Sequence, residues 1–201
     1  HLEDYKDEKI KLEAIDKGIL SKFNFLIKEI SESFENYEAS KARMILEMFF
    51  WGQFCDNYLE IAKDRLYNPD IRGIKERKSA QYTLNYILTN TLKLFAPIIP
   101  FITEEIFVNG FNNSDSIHIS SWPKHFTKLK DESNEKVWER FVEILSFVRQ
   151  EKSKQNKSLK EEIVLILPRK DRELLLECIE DLKAVTKAKD ILNGRELEVK
   201  L

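Results

Sequence analysis

Glycine and proline are scarce in this chain of 201 residues, which has five of each. An all-β fold with many tight turns needs more of both, so their scarcity favours long helices. No apolar run approaches the roughly 20 residues of a membrane span. Because 42% of the residues are hydrophobic, the chain can build the core of one large domain, or of a medium domain with a small appendage.

Residues that bind metals or form disulfides are also few. The cysteines, Cys55 and Cys178, lie far apart in helical apolar patterns, so two buried thiols are favoured over a disulfide. The histidines, His1, His118 and His125, match no metal-ligand spacing, and we expect no metal site. A glycine-rich phosphate loop is missing as well, so no catalytic residue is predicted.

The chain also lacks a large excess of either positive or negative charge. The chain has 33 Lys and Arg against 35 Asp and Glu, a net charge of -2. A general basic field for nucleic acid is therefore excluded, and any RNA binding must use local patches.

Apolar residues recur at helical spacing in four long stretches. These stretches predict helices over residues 15–38, 40–67, 74–95 and 135–152, with Ser40 as the N-cap of the second. Short links between long amphipathic helices are typical of an up–down bundle, so the sequence predicts a helical bundle over residues 15–152.

The pattern changes over residues 160–201. Residues 162–168 read as a buried strand, 171–187 as a helix, and 190–192 and 196–201 as two short strands. Asn193 and Gly194 between the last two strands predict a hairpin turn. We therefore predict a mainly α chain, a helical bundle followed by a small β-α-β-β appendage.

Two prolines, Pro97 and Pro100, interrupt the apolar stretch after the third helix. Proline disfavours helix in the residue before it, so a turn is expected here, with Thr103 as the N-cap of a restarting helix. Ile117 and Ile119 alternate with a polar residue further on and predict an extended segment. The stretch 94–107 on its own predicts a corner between two helices inside a core.

Three sequence blocks together carry a resemblance to a known family. They are LFAPIIPFITEEIF (94–107), FFWGQFCDNYLEIAKDRLY (49–67) and SIHISSWP (116–123), preceded by DKGILSK (16–22). In this order they resemble the anticodon-binding bundle of class I aminoacyl-tRNA synthetases of the valine, isoleucine, leucine and methionine group. The similarity is clear over residues 16–123 and thinner over 135–201, and it is greatest to the valyl type.

This resemblance implies the C-terminal part of an enzyme that uses ATP to ligate valine to its tRNA. The family's catalytic motifs, HIGH and KMSKS, do not occur, so the implied role here is tRNA docking and anticodon reading, with no cofactor of its own. The implied partners are valine-specific tRNA and the catalytic and editing domains of the same polypeptide, in the cytoplasm and away from membranes. The alternatives are the same region of an isoleucyl-tRNA synthetase, or a helical bundle that binds other proteins.

The candidate tRNA-binding residues form three groups. Carboxylates and amides can read the edges of unstacked bases, and Arg or Lys can hold phosphates, which selects polar residues of the second helix. By the resemblance, Leu59 and Glu60 fall where the family contacts the first anticodon bases, and Asn57 replaces the usual Trp. The groups are Asp56, Asn57, Leu59, Glu60, Lys63 and Arg65 on the second helix, Arg72 and Lys75 at the following turn, and Arg149, Lys152, Lys154 and Lys157 at the end of the fourth helix and just beyond it.

For each group the alternative is an ordinary solvated surface. The large aromatic residues are expected in the core rather than stacked on bases; they include Trp51, Phe54 and Trp138. Trp122, which precedes Pro123, is expected to cover the bundle.

Overall fold

Helices dominate the computed structural model, which describes residues 10–111 and 115–200. The predicted mainly α class is confirmed. The helices up to the appendage are α1 (Ala14–Glu35), α2 (Ala39–Met48), a π-helical segment (Phe49–Tyr58), α3 (Leu59–Tyr67), α4 (Pro69–Arg72), α5 (Ile74–Phe95), α6 (Pro100–Glu105), a second π-helical segment (Ile106–Gly110) and α7 (Glu132–Lys154). Among the described residues, no helix is both long enough and apolar enough to cross a bilayer.

Helix α1 lies against α2, α5 and α7 and supplies the centre of the core. Its buried side chains Ile15, Ile19 and Phe23 follow the predicted helical spacing. Gly18 lets α7 approach closely, because a Cβ built there would lie 2.4 Å from the carbonyl oxygen of Asn134. The bundle is therefore packed around one apolar stripe that the sequence predicts.

Two of the predicted helix caps are wrong. Helix α2 begins at Ala39, and Ser40 lies inside its first turn. Helix α6 begins at Pro100, whose missing N–H costs nothing in the first turn, so Thr103 lies within the helix. The Thr103 hydroxyl instead donates to the carbonyl oxygens of Ile99 and Pro100, both at 3.0 Å.

The appendage contains β1 (Ile163–Pro168), α8 (Arg169–Leu174), α9 (Ile179–Thr186), β2 (Ala188–Gly194) and β3 (Glu198–Lys200). The strand order is β2-β1-β3, with β2 parallel and β3 antiparallel to β1. The predicted hairpin at Asn193 and Gly194 is therefore wrong, because β2 and β3 lie on opposite sides of β1. The apolar β1 takes the central position, and the helical crossover makes β2 parallel to it.

Other local predictions also needed correction. The predicted helix over 171–187 is split into α8, a 3₁₀ turn (Leu176–Cys178) and α9. The predicted extended segment at Ile117 is another 3₁₀ turn (Ile117–Ile119). Cys178 is buried as expected, whereas Cys55 is only partly buried, and both thiols are free. His1 and Leu201 lie outside the described residues.

One hydrophobic cluster joins the appendage to the bundle. Leu165, Cys178 and Leu182 of the appendage belong to the same core as Phe141 and Val148 of α7. The division into a bundle over 15–152 and an appendage over 160–201 stays a prediction, since the two parts share this core.

Candidate nucleic-acid interface

The π-helical segment between α2 and α3 positions the first group of candidate residues. Its ten residues follow a wider helix than the flanking turns, and such segments occur frequently at functional sites. Phe54 and Tyr58 point into the core, while Trp51 and Asp56 are exposed. Asn57 supports the wide turn, because its amide nitrogen donates to the carbonyl oxygen of Gly52 at 2.6 Å.

Arg149 of α7 joins this segment from the neighbouring helix. Its guanidinium donates to the side-chain oxygen of Asn57 at 3.0 Å and to the main-chain carbonyl of Asp56 at 2.8 Å. One turn further, Glu60 forms an ion pair of 2.5 Å with Lys63. We call Asp56, Asn57, Glu60, Lys63 and Arg149 the Arg149 cluster.

The Arg149 cluster combines exposed acceptors with two cations. Burial lowers the pKa of Arg149, and the nearby carboxylates of Glu60 and Asp56 act in the opposite direction. Asp56, Glu60 and Lys63 are exposed, so their charged groups are accessible to a ligand. Carboxylates can accept hydrogen bonds from base amino groups, and the ammonium can contact a phosphate.

Two members of the first group are placed differently from the rest. Asn57 is buried, its amide nitrogen donates to Gly52, and its amide oxygen accepts from Arg149. Asn57 therefore stabilises the π-helical segment. Leu59 is partly buried and packs against the core. A base contact by Leu59 stays a prediction.

Arg65, also of the first group, is fully buried, which corrects its assignment as a tRNA-binding residue. Its guanidinium donates to both carboxylate oxygens of Asp16, and its Nε lies 3.3 Å from Asp181. Arg72 is mostly buried beside it and bridges Asp64 at 2.7 Å and Asp181 at 2.6 Å. In this second group only Lys75 is exposed, near the start of α5.

Lys152 is also buried, so the third group is divided. Its ammonium donates to the carbonyl oxygens of Leu159, Glu161 and Thr186, at 2.9, 2.7 and 2.9 Å. A group held in this way is not available to RNA, and it ties α7 to the appendage. Lys154 and Lys157 are exposed and pair with Glu151 and Glu161 at 2.6 and 3.1 Å.

The charged network around Arg65 is the main feature that the sequence reasoning missed. The Asp16 carboxylate also accepts from the hydroxyls of Tyr58, at 2.7 Å, and Ser79. A signal was present, because Asp16 stands one turn before Ile19 and Leu20 on the apolar stripe of α1. A carboxylate in such a position must be paired with a cation inside the protein.

The tryptophans divide between the core and the surface. Trp138 is buried as predicted, and its ring nitrogen donates to Gln53 at 2.8 Å. Trp51 is 62% exposed, which overturns its assignment to the core. Trp122 does cover the bundle, since its ring lies 5.6 Å from that of Phe34.

Comparison with known proteins identifies the family. The model for the anticodon-binding domain of tRNA ligases matches residues 16–167, which is most of the chain and contains the whole Arg149 cluster. The chain belongs to this family. The match extends through α7 into β1, so it includes all three elements that form the cluster, namely the first π-helical segment, α3 and α7.

Several relatives of this anticodon-binding domain are valine–tRNA ligases. One from Ehrlichia ruminantium (strain Gardel) is 39% identical over 184 residues, covering 91% of this chain and 22% of the relative. One from Rickettsia canadensis (strain McKiel) is 37% identical over 178 residues, covering 88% and 22%. One from Methanopyrus kandleri is 37% identical over 185 residues, covering 90% and 20%. The chain thus spans about a fifth of the length of these relatives.

Proposed function

We propose that this chain is the tRNA-docking and anticodon-reading part of a valyl-tRNA synthetase, which as a whole ligates valine to its tRNA using ATP. The observation that carries the proposal is the Arg149 cluster, whose members Asp56, Glu60 and Lys63 are exposed inside the region that matches the family. The relatives named above are valine–tRNA ligases, which supports valine over isoleucine.

Within the Arg149 cluster we assign different roles to the side chains. Glu60 and Asp56 present exposed carboxylates that accept hydrogen bonds from base amino groups. Lys63 can exchange its exposed pair with Glu60 for an RNA phosphate at little cost, because such pairs contribute little stability. Arg149 is tied to the π-helical segment through Asn57 and the main-chain carbonyl of Asp56, so it joins α7 to the segment that carries Asp56.

The ligation chemistry belongs to other parts of the polypeptide. The chain has neither of the family's two catalytic motifs, so ATP and valine would be bound by the catalytic domain. Docking of tRNA by the anticodon region holds the RNA in a defined orientation for that domain, and positioning of this kind is a main source of catalytic rate.

Binding of valine tRNA, compared with the same tRNA carrying a replaced anticodon, tests the proposal. We expect tighter binding of the unmodified tRNA. Four of the candidate cations are exposed, namely Lys63, Lys75, Lys154 and Lys157. If about four phosphate contacts form, affinity should fall roughly a hundredfold between ~50 and ~200 mM salt. Equal affinity for both tRNAs would contradict anticodon reading.

A matched pair of variants separates the Arg149 cluster from general surface charge. Glu60→Ala should reduce the preference for the unmodified anticodon, whereas Glu32→Ala, which changes an exposed carboxylate on α1, should leave it intact. The same loss in both variants would place the preference outside the cluster.

A further inference from the structure

The outer face of the proline corner is an exposed apolar surface. Ile99, Phe101, Ile102 and Ile106 are 44%, 90%, 52% and 42% exposed. Ile102 and Ile106 are four residues apart along α6 and its continuation, so they share one face. Ile99 is the N-cap residue of α6, and Phe101 lies in its first turn. We call these four residues the corner patch. The expected burial of this corner in a core is therefore only half correct.

The inner side of the same corner is fixed to the protein. Phe107 packs with Ala96 and Ile117 in an apolar cluster separate from the main core. The Glu104 carboxylate accepts from the backbone N–H of Ile117 at 2.9 Å and from the hydroxyl of Ser116 at 3.0 Å. The corner patch is thus presented by a short helix held at several points, and a pre-organised surface loses little entropy on binding.

Charge argues against RNA as the ligand of the corner patch. Residues 94–123 contain none of the chain's 33 lysine and arginine residues, but they contain Glu104, Glu105 and Asp115. Binding of RNA depends on cations that neutralise phosphates, and this stretch would repel them. The surface is suited to an apolar protein surface instead.

The segment from α6 into the second π-helical segment has an apolar side chain inward, at Phe107, and the corner patch outward. An exposed apolar patch of this kind marks an interaction site. The relatives supply a candidate cover, since about four-fifths of each relative lies outside the region matched by this chain.

We propose that the corner patch docks against an apolar surface on the remaining part of the same polypeptide. This inference rests on the proposed function, which makes the chain one region of a synthetase. Four side chains are too few for a stable dimer, which buries about 1,200–2,000 Å². A domain on the same polypeptide is present at an effective concentration of about millimolar, so a small patch is sufficient for docking.

Thiol modification of the intact polypeptide tests this docking without any RNA. Phe101→Cys places a thiol in the patch, and Ile102→Cys provides a second probe. Ile71→Cys is the matched control, because Ile71 is 84% exposed in α4, outside the patch. The rate of reaction with a maleimide at each position is followed by mass spectrometry of the peptide, in the folded polypeptide and in urea.

If the corner patch is docked, the thiols of Phe101→Cys and Ile102→Cys should react at least tenfold more slowly in the folded polypeptide than in urea. They should also react at least tenfold more slowly than the thiol of Ile71→Cys. Both differences should be the same with and without tRNA and at every protein concentration. Rates at 101 and 102 equal to those in urea would overturn the proposal. Protection that appears only with tRNA would identify RNA as the ligand, and protection lost on dilution would identify a second copy; either result also overturns it. Because this readout contains no anticodon, its failure is distinct from a failure of the proposed function.

Discussion

Arg65 and Asp16 form a two-point ion pair that has no exposed surface. Nη1 of Arg65 lies 2.7 Å from Oδ2 of Asp16, and Nη2 lies 2.8 Å from Oδ1. Burial opposes the charge of Arg65, but the carboxylates of Asp16 and Asp181 raise its pKa well above the usual range. The pair links α1 to α3, and Asp181 extends the link to α9.

Removal of one member of this pair should strongly destabilise the protein. We expect Asp16→Ala to lower the free energy of unfolding by about 3–5 kcal/mol, since it leaves a buried guanidinium without its main partner. Urea denaturation measures the change. As a control, Glu47→Ala breaks the exposed pair with Arg43 and should cost less than about 1 kcal/mol. Similar losses in the two variants would mean that the buried pair contributes no more to the free energy of unfolding than an exposed pair does.

Lys152 and Lys154 are neighbours in the sequence with opposite expected effects. Lys152→Met leaves three carbonyl oxygens without their donor, that of the buried Thr186 among them, and should cost about 1–3 kcal/mol of unfolding free energy. Lys154→Met changes an exposed side chain and should stay within about 0.5 kcal/mol. If both variants keep full stability and weaken tRNA binding equally, Lys152 faces the RNA and its structural role is wrong.

The N-cap of α7 should make stability depend on pH. Asp131 accepts a hydrogen bond from the backbone N–H of Asn134 at 3.1 Å, and the hydrogen bonds from Asn134 lower the pKa of Asp131. A carboxyl with a lowered folded-state pKa stabilises the fold above its unfolded pKa of about 3.9, and this stabilisation is lost as the pH falls through the folded-state pKa.

The corresponding variant is Asp131→Ala. It should cost about 1 kcal/mol at neutral pH, the usual value for the loss of a cap, and the difference from the unmodified chain should shrink below about pH 4. Urea denaturation at several pH values measures both. A difference that stays constant from neutral pH to about pH 3 would show that the carboxylate charge does not contribute.

The helical spacing of apolar residues was sufficient to predict the bundle, because a helix with one apolar face must turn residues such as Ile19 and Phe23 of α1 toward the core. It was not sufficient where two local tendencies compete. Asn193 and Gly194 suit a hairpin, but β1 can bury its apolar residues only in the centre of the sheet, which places β2 and β3 on opposite edges. The π-helical segment was not predicted, because the weak helix formers over residues 49–58, Gly52 among them, do not distinguish a π-helix from an α-helix.

The candidate site shows a similar limit. A sequence gives the charge of Arg65 or Lys152 but does not show which carboxylates and carbonyls surround it in the fold. Both residues therefore looked like phosphate ligands, although one pairs with Asp16 and the other holds the appendage. The association of Arg149 with Asn57 joins residues 92 positions apart, so only the fold shows it.

The chain by itself should not activate valine, because it has neither catalytic motif of the family. Valine-dependent exchange of pyrophosphate into ATP measures this reaction directly. We expect the 201-residue chain to give the same signal as a blank without protein. Exchange above the blank, retained after further purification, would show a nucleotide site that the proposed function does not contain.

Aminoacylation by the intact polypeptide gives the most direct test of anticodon reading. The measurement is kcat/KM for valine tRNA and for an anticodon-substituted tRNA, with the unmodified enzyme, Glu60→Ala and Lys154→Ala. Base contacts carry sequence information and phosphate contacts do not, so Glu60→Ala should reduce the discrimination between the two tRNAs by about tenfold or more. Lys154→Ala should lower both values by the same factor. If Glu60→Ala also lowers both values equally, Glu60 does not read the anticodon, and the account of the Arg149 cluster is contradicted.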